Sequence, residues 1–198
     1  MILEGLATTR NPDGTINLSA MGPLWDDSMQ TLILRPFPTS VTYANLMREK
    51  AGVWHIIDDA LLLVQAALDA WGESSLPPLN PACQVNGQVL QDCCRWYEFV
   101  VSQVDESGER PCFHAQVVHR GQGREFVGWN RARHAILEGA ILVSRWQFLG
   151  IEETRRELQN LWSPVRKTGG PREILAMELV ENVLEQRWAT AQQTEASR

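Results

Sequence analysis

Asn11-Pro12-Asp13-Gly14 separates two runs of strand-forming residues, and it constrains the fold more tightly than any other short stretch of the chain. Proline presets φ at a turn corner and glycine accepts positive φ, so the chain is predicted to reverse there. The flanking runs, Ile2 to Thr9 and Thr15 to Pro23, then pair antiparallel. In the second run Ile16, Leu18, Ala20 and Gly22 alternate with Asn17, Ser19 and Met21, which gives that strand two unlike faces. Trp25-Asp26-Asp27-Ser28 reads as another turn and Thr31 to Leu34 as a third strand, so the N-terminal region is a meander.

Further along, Val53 to Ile57 is a short apolar strand, and Asp58 or Asp59 is placed to cap an apolar helix over Ala60 to Trp71. Glu73 to Asn86, with three prolines, reads as a loop. Trp96 to Val104 is a strand ended by the turn Asp105-Glu106-Ser107-Gly108; Pro111 to Arg120 and Arg124 to Gly128 are two more, joined at Gly121-Gln122-Gly123. At least six strands in two groups, bridged by helices, suit a closed or split antiparallel barrel better than a parallel sheet. After Trp129 the pattern becomes helical: one helix capped by Asn130 and ending near Gly150, a second over Glu152 to Leu161 stopping before Ser163-Pro164, and a third starting at Pro171. The polar tail Thr190 to Arg198 is expected to fray. The expected fold class is thus mainly β with appended helices: a barrel domain over 1–128, including helices near 40–50 and 60–71, and a helical region over 129–198 packed on it.

With 198 residues, 44% of them apolar, the chain can fill a real core. A formal charge of −6 opposes broad contact with nucleic acid or anionic lipid. No window approaches the apolar length of a membrane span, and MILEGLATTR lacks a basic region followed by an apolar one, so a soluble, cytoplasmic protein is expected. Cys83, Cys93, Cys94 and Cys112 show no pair at the spacing zinc sites use, and His55, His114, His119 and His134 are scattered. The sequence therefore predicts reduced thiols acting as small core residues, with Cys93 and Cys94 on opposite faces of a strand, and no metal.

The stretch LRPFPTSVTYANLM, Leu34 to Met47, carries the chemistry. A helix beginning near Ser40 presents unpaired N–H groups and a partial positive charge, which is where phosphates bind. Arg35 adds a planar fork of donors just upstream, Ser40 and Thr42 add hydroxyls, and Asn45 follows one turn later. The same residues also read as a plain capped helix, with Thr39 or Ser40 as the cap and Arg35 in a surface ion pair.

ATTRNPDGTINLSAMGPLW, LRPFPTSVTYANL and VWHIIDD, together with the later GREFVGWNRARHAILEGAILVSR, resemble the FMN-binding split-barrel superfamily, the flavin reductase-like proteins, and a small-flavoprotein family within it. The matched segments run from Glu4 to about Leu149. The resemblance implies an antiparallel split β-barrel with a C-terminal helical region, and FMN as cofactor. It implies that Arg35, Ser40 and Thr42 hold the FMN phosphate. The strand Asn17, Ser19, Ala20, Met21 and Gly22 would line the flavin ring, with Thr8 and Thr9 completing the wall and Asn45 within reach. Ser19 and Gly22 suit a close approach by a flat ring. His55 stands where the family pattern has Asn and reads as a core residue. In WNRARH, Asn130 reads as a helix cap; Arg131 and Arg133, two apart, cannot share a helix face. The tryptophans at 54, 71, 96, 146 and 188 read as core or subunit-interface residues.

A homodimer with FMN near the subunit interface is implied as well, with NAD(P)H as a visiting reductant, since no GxGxxG nucleotide signature is present. The function so implied is that of an FMN-dependent oxidoreductase acting by hydride or electron transfer, and no catalytic acid, base or nucleophile stands out. Two other readings stay open: a flavin carrier or sensor without turnover, and an unliganded dimeric interaction protein on the same scaffold.

Overall fold

The computed structural model describes residues 1–71 and 76–196, so the start of the expected loop at Glu73 and the last tail residues, Ser197 and Arg198, lie outside the described residues. Among the described residues the chain forms two compact units, one of residues 1–58 and 76–126 and the other of residues 59–71 and 127–196.

The first unit is a curled antiparallel sheet of seven strands. In chain order these are β1 (Gly5–Arg10), β2 (Ile16–Met21), β3 (Leu24–Trp25), β4 (Thr31–Leu34), β5 (Ala51–Ile56), β8 (Arg95–Asp105) and β9 (Cys112–Gln122); β6 (Leu79–Pro81) and β7 (Gln88–Leu90) form a separate hairpin. The strand order is β2-β1-β5-β8-β9-β4-β3. The first hairpin is as predicted: Asn11 N–H donates to Thr15 O at 2.8 Å, and Gly14 takes φ of 86°.

The sheet curls because β2 and β3 are two halves of one ribbon, bent where Gly22-Pro23 interrupts it. The N-terminal chain follows this ribbon in a single register, from Arg10 opposite Ile16 to Ile2 opposite Leu24, while β3 also pairs with β4. Met1 and Trp25 exchange two hydrogen bonds, at 2.9 and 2.8 Å, so the chain start lies along the far end of the sheet. Inside the curl pack Ala7, Leu32, Leu34, Trp54, Phe99 and Phe113. Trp25, Trp54 and Tyr97 stack with centroids 5.0 to 5.9 Å apart, and the Trp54 indole donates to Met21 O at 3.0 Å. Helix α1 (Val41–Glu49) adds Leu46 to the same core.

The second unit is helical: α2 (Ala60–Leu68), α3 (Arg131–Ser144), α4 (Trp146–Leu149), α5 (Ile151–Thr168) and α6 (Pro171–Ala196). Asp59 caps α2 by accepting from the N–H groups of Leu61 and Leu62, and holds Arg172 of α6 through both carboxylate oxygens. The core of this unit is Val64, Ile136, Val143, Leu158, Met177 and Val180 with their neighbours.

Several boundaries differ from the sequence reading. Helix α2, expected as part of the barrel domain, lends its apolar face to the helical unit. Arg124 to Gly128 is not a strand: the N–H groups of Gly123 and Arg124 bond to Cys94 and Cys93, and the Arg124 guanidinium is drawn to Asp58 and Asp92, so the chain leaves the ladder after Gln122. Cys93 and Cys94 precede β8 rather than lying in a strand. The expected loop contains β6 and leads into β7. Helix α5 runs through Pro164 to Thr168, because its buried stripe of Thr154, Leu158, Trp162 and Val165 continues across the proline; the acceptor that Pro164 leaves unmatched, on Asn160, is at an exposed position. The helix expected to run on to Gly150 breaks at Arg145 into α3 and α4. The tail expected to fray continues α6 to Ala196. Of the tryptophans read as buried, Trp54 and Trp146 are, whereas Trp71, Trp96 and Trp188 are half-buried.

On the outer face of the sheet Gly121 stands opposite Trp96, and a Cβ there would fall 1.9 Å from the indole ring. Gly121→Ala is expected to lower the stability of the barrel unit by about 1–3 kcal/mol, read from the denaturant midpoint.

Candidate functional site

Cross-strand pairing sets which side chains share a face. Ser19 is opposite Ala7 and Asn17 opposite Thr9, so Thr9, Asn17 and Ser19 project to one side of the β1–β2 pair. The start of α1 lies against that side. Thr42 Oγ1 accepts from the Asn17 amide at 3.0 Å and is 2.8 Å from the Ser19 hydroxyl. The Asn45 amide donates to Thr9 Oγ1 at 3.1 Å and to Asn11 Oδ1 at 2.8 Å, and the Asn17 amide also reaches Thr9 Oγ1 at 3.3 Å. Thr9, Thr42 and Asn45 are buried. Five of the expected site residues, Thr9, Asn17, Ser19, Thr42 and Asn45, thus form one hydrogen-bonded group.

The other expected residues are placed differently. Ser40 caps α1: its hydroxyl accepts from Tyr43 N–H at 3.1 Å and donates to Phe37 O at 2.7 Å. Arg35 is exposed, and no hydrogen bond or ion pair among the described residues engages it. Thr8 projects to the opposite side of β1 from Thr9, where its hydroxyl donates to Gln88 O at 2.5 Å. Ala20 alternates away from Ser19 in β2, and Gly22 lies just beyond the end of that strand. Met21 packs against the inner core, and a Cβ on Gly22 would come within 2.7 Å of the Glu4 carboxylate. Because β2 ends the strand order, the outer row of its backbone groups has no ladder partner among the described residues.

Sequence reading passed over Asn11 and Arg48. The Arg48 guanidinium donates to Asn45 Oδ1 at 3.0 Å and to the Arg10 carbonyl, fixing the Asn45 amide with its NH2 toward Thr9. The available signal was the three-residue spacing of Asn45 and Arg48, one turn apart on a helix. At the other end of the barrel an open pocket of about 490 Å³ is lined by Ile56, Cys94, Arg95, Gln122, Arg124 and Phe126 with Glu125. Its Arg124 is held by Asp58 and Asp92, which offset its charge.

His55 is a satisfied core residue, as read from the sequence. Its Nδ1 lies 3.1 Å from Leu6 O and its Nε2 accepts from Leu90 N–H at 3.1 Å, a pattern that only neutral imidazole can complete. Burial lowers its pKa to about 4, against the smaller upward pull of the Leu6 carbonyl. Burial likewise pushes the Cys93 thiol up to about 12, with Cys94 and Asp92 adding to the rise, so Cys93 stays a protonated core residue. The four cysteines are free thiols.

The curled antiparallel half-barrel with appended helices is a split-barrel fold. More narrowly, the chain belongs to the family described as protein of unknown function (DUF447): the N-terminal domain of that family matches residues 3–124 and its C-terminal part residues 130–182. The fold is similar to that of an FMN-bound protein of the same family from Methanosarcina mazei, with a TM-score of 0.79 and 22% identity over 92% of this chain and 94% of that one. It is similar, with TM-scores of 0.53 and 0.52, to a flavoredoxin from Methanosarcina acetivorans (13% identity, 64% of this chain and 72% of that one) and to the flavin reductase of styrene monooxygenase from Pseudomonas putida (14% identity, 60% and 79%). No curated protein matches the chain. Among the described residues no helix is long and apolar enough to cross a membrane.

Neutral His55 makes stability depend on pH. Its folded pKa lies below the usual 6.5, so the stabilisation is complete above 6.5 and is lost as the pH falls toward 4. The loss from this group between pH 7 and pH 4 is expected to be about 3 kcal/mol, and His55→Gln should flatten that part of a stability–pH profile measured by denaturant unfolding.

Proposed function

We propose that this protein is a homodimeric, cytoplasmic FMN-binding flavoprotein that uses its flavin as an oxidoreductase. The observation that carries the reading is the likeness, across nearly the whole chain, to an FMN-bound protein of its own family. The residues present fit such a group. The start of α1 offers the unpaired N–H groups of its first turn and the partial positive charge that a phosphate needs. Arg35, exposed and without an ion-pair partner among the described residues, is free to add a charged fork. The unpaired outer edge of β2 supplies backbone donors and acceptors to the polar rim of a flat ring.

Within this reading the residues divide their roles. Arg35 contacts the phosphate, and Ser40 joins it by turning its hydroxyl proton from Phe37 O to a phosphate oxygen. Thr42, whose hydroxyl is already engaged by Asn17 and Ser19, holds the helix start in position over the first hairpin. Asn45 and Arg48 anchor the next turn to β1. Bound FMN would supply hydride or electron transfer, with a nicotinamide nucleotide as the visiting reductant. A carrier or sensor without turnover would use the same contacts.

Denaturing the purified protein and identifying the released compound by mass and absorbance tests the cofactor; colourless protein that also fails to take up added FMN would sink the proposal. Arg35→Ala is expected to weaken FMN binding roughly tenfold, the worth of a charge-assisted hydrogen bond, with unchanged unfolding midpoint. Thr42→Val should weaken binding and also cost about 1–3 kcal/mol of stability, because it removes the bonds of the buried Thr42 hydroxyl to Asn17 and Ser19. Bleaching of the flavin by NADH or NADPH distinguishes the oxidoreductase from the carrier.

A further inference from the structure

On the outer face of the barrel, away from the Thr9–Thr42 group, three different ligand types meet. Cys83 lies in the turn after β6, Glu98 on β8 and His119 on β9. Their ligand atoms all fall within 4.8 Å of one another. The arrangement comes from irregular pairing: Glu98 is opposite His119 while Phe99 is opposite Val117, so β9 carries one extra residue there. Such a bulge re-aims side chains, and here it sets the imidazole beside the carboxylate.

Glu98 is wholly buried, at 0% exposure. Its oxygens accept from the N–H groups of Cys83 at 2.8 Å, Gln84 at 2.5 Å and Val85 at 3.1 Å. Three N–H donors aimed at one carboxyl group suit its ionised form, which accepts hydrogen bonds and donates none. No Lys or Arg pairs with it among the described residues. A carboxylate has about four lone-pair sites; three are taken by backbone N–H groups, which leaves one. The N–H bonds also orient it in the way that outer hydrogen bonds orient metal-bound carboxylates.

The geometry points to a divalent transition-metal site of the zinc class, built from Cys83 Sγ, one Glu98 oxygen and an imidazole nitrogen of His119, with a fourth position open to water or an external ligand. Sulfur with imidazole selects zinc or cobalt over magnesium or calcium. Metal bonds of about 2.0 to 2.3 Å in a tetrahedron put ligand atoms roughly 3.3–3.8 Å apart. The present spacing closes to that by rotation of Cys83, which is exposed, while its backbone stays pinned to Glu98. Binding displaces the thiol proton and sets a divalent cation against the buried carboxylate.

The test uses the full chain, titrated with Co²⁺ and, separately, with Zn²⁺ against a chromophoric chelator. One equivalent of cobalt should bind with the intense long-wavelength bands of a tetrahedral thiolate site, beyond the range where flavin absorbs. Cys83→Ser and His119→Gln should each lose those bands and weaken zinc binding roughly tenfold or more, with unchanged circular dichroism. Cys112→Ser, a control thiol outside the cluster, should keep them. Wild-type protein that binds no cobalt, or variants at 83 and 119 that bind zinc as tightly as wild type, would overturn the assignment.

Discussion

Everything in the barrel unit depends on one ladder: the pairing of the first ten residues with the whole ribbon from Ile16 to Trp25. A flat ribbon could not pair with β1 on one side and hand its second half to β4. Gly22-Pro23 makes the bend, Pro23 having no N–H to place in a ladder. The bend brings Met21 O within reach of the Trp54 indole, so the largest side chain of the core is oriented by the residue next to the corner. Closing the curl stacks Trp25, Trp54 and Tyr97 inside it. It also leaves β2 with one side committed to β1 and the other open.

The two faces of β1 then carry different polar work. On one side Thr9 joins Asn17, Ser19, Thr42 and Asn45, tying α1 to the first hairpin with neutral groups that satisfy one another. On the other side Thr8, His55 and Glu98 are all satisfied by backbone atoms of residues 83–90. That single segment enforces opposite charge states. Donating an N–H to His55 Nε2 keeps the imidazole neutral, and donating three to Glu98 keeps the carboxylate ionised. Buried polar groups of this kind demand full satisfaction, and backbone donors meet it without adding further buried charge.

The fold is a split barrel similar to that of an FMN-bound protein of the same family, and a fold hosts many chemistries. At the start of α1 Ser40 is the cap, and Arg35 just upstream is exposed with no ion-pair partner among the described residues. Thr42, which looked from the sequence like a phosphate ligand equal to Ser40, has its hydroxyl turned into the hairpin instead. The helix start is therefore supported from beneath by one set of side chains and open above to another.

The sequence by itself determined the elements and much of the lineage. Turn chemistry at Asn11 to Gly14, alternation along Asn17 to Gly22 and the capping residues Ser40, Asp59 and Asn130 act within a few positions, so they can be read without a fold. Tertiary structure decided what lay between distant segments. Whether Thr8 or Thr9 faces α1, and whether Ser19 or Ala20 does, follows from register, since successive strand residues alternate. Pro164 did not end a helix because burial of Leu158, Trp162 and Val165 outweighed the loss of one hydrogen bond. Cys83, Glu98 and His119 lie up to 36 positions apart in the chain. No local spacing rule brings them together; a bulge in one strand pair and a turn pinned by three N–H bonds do.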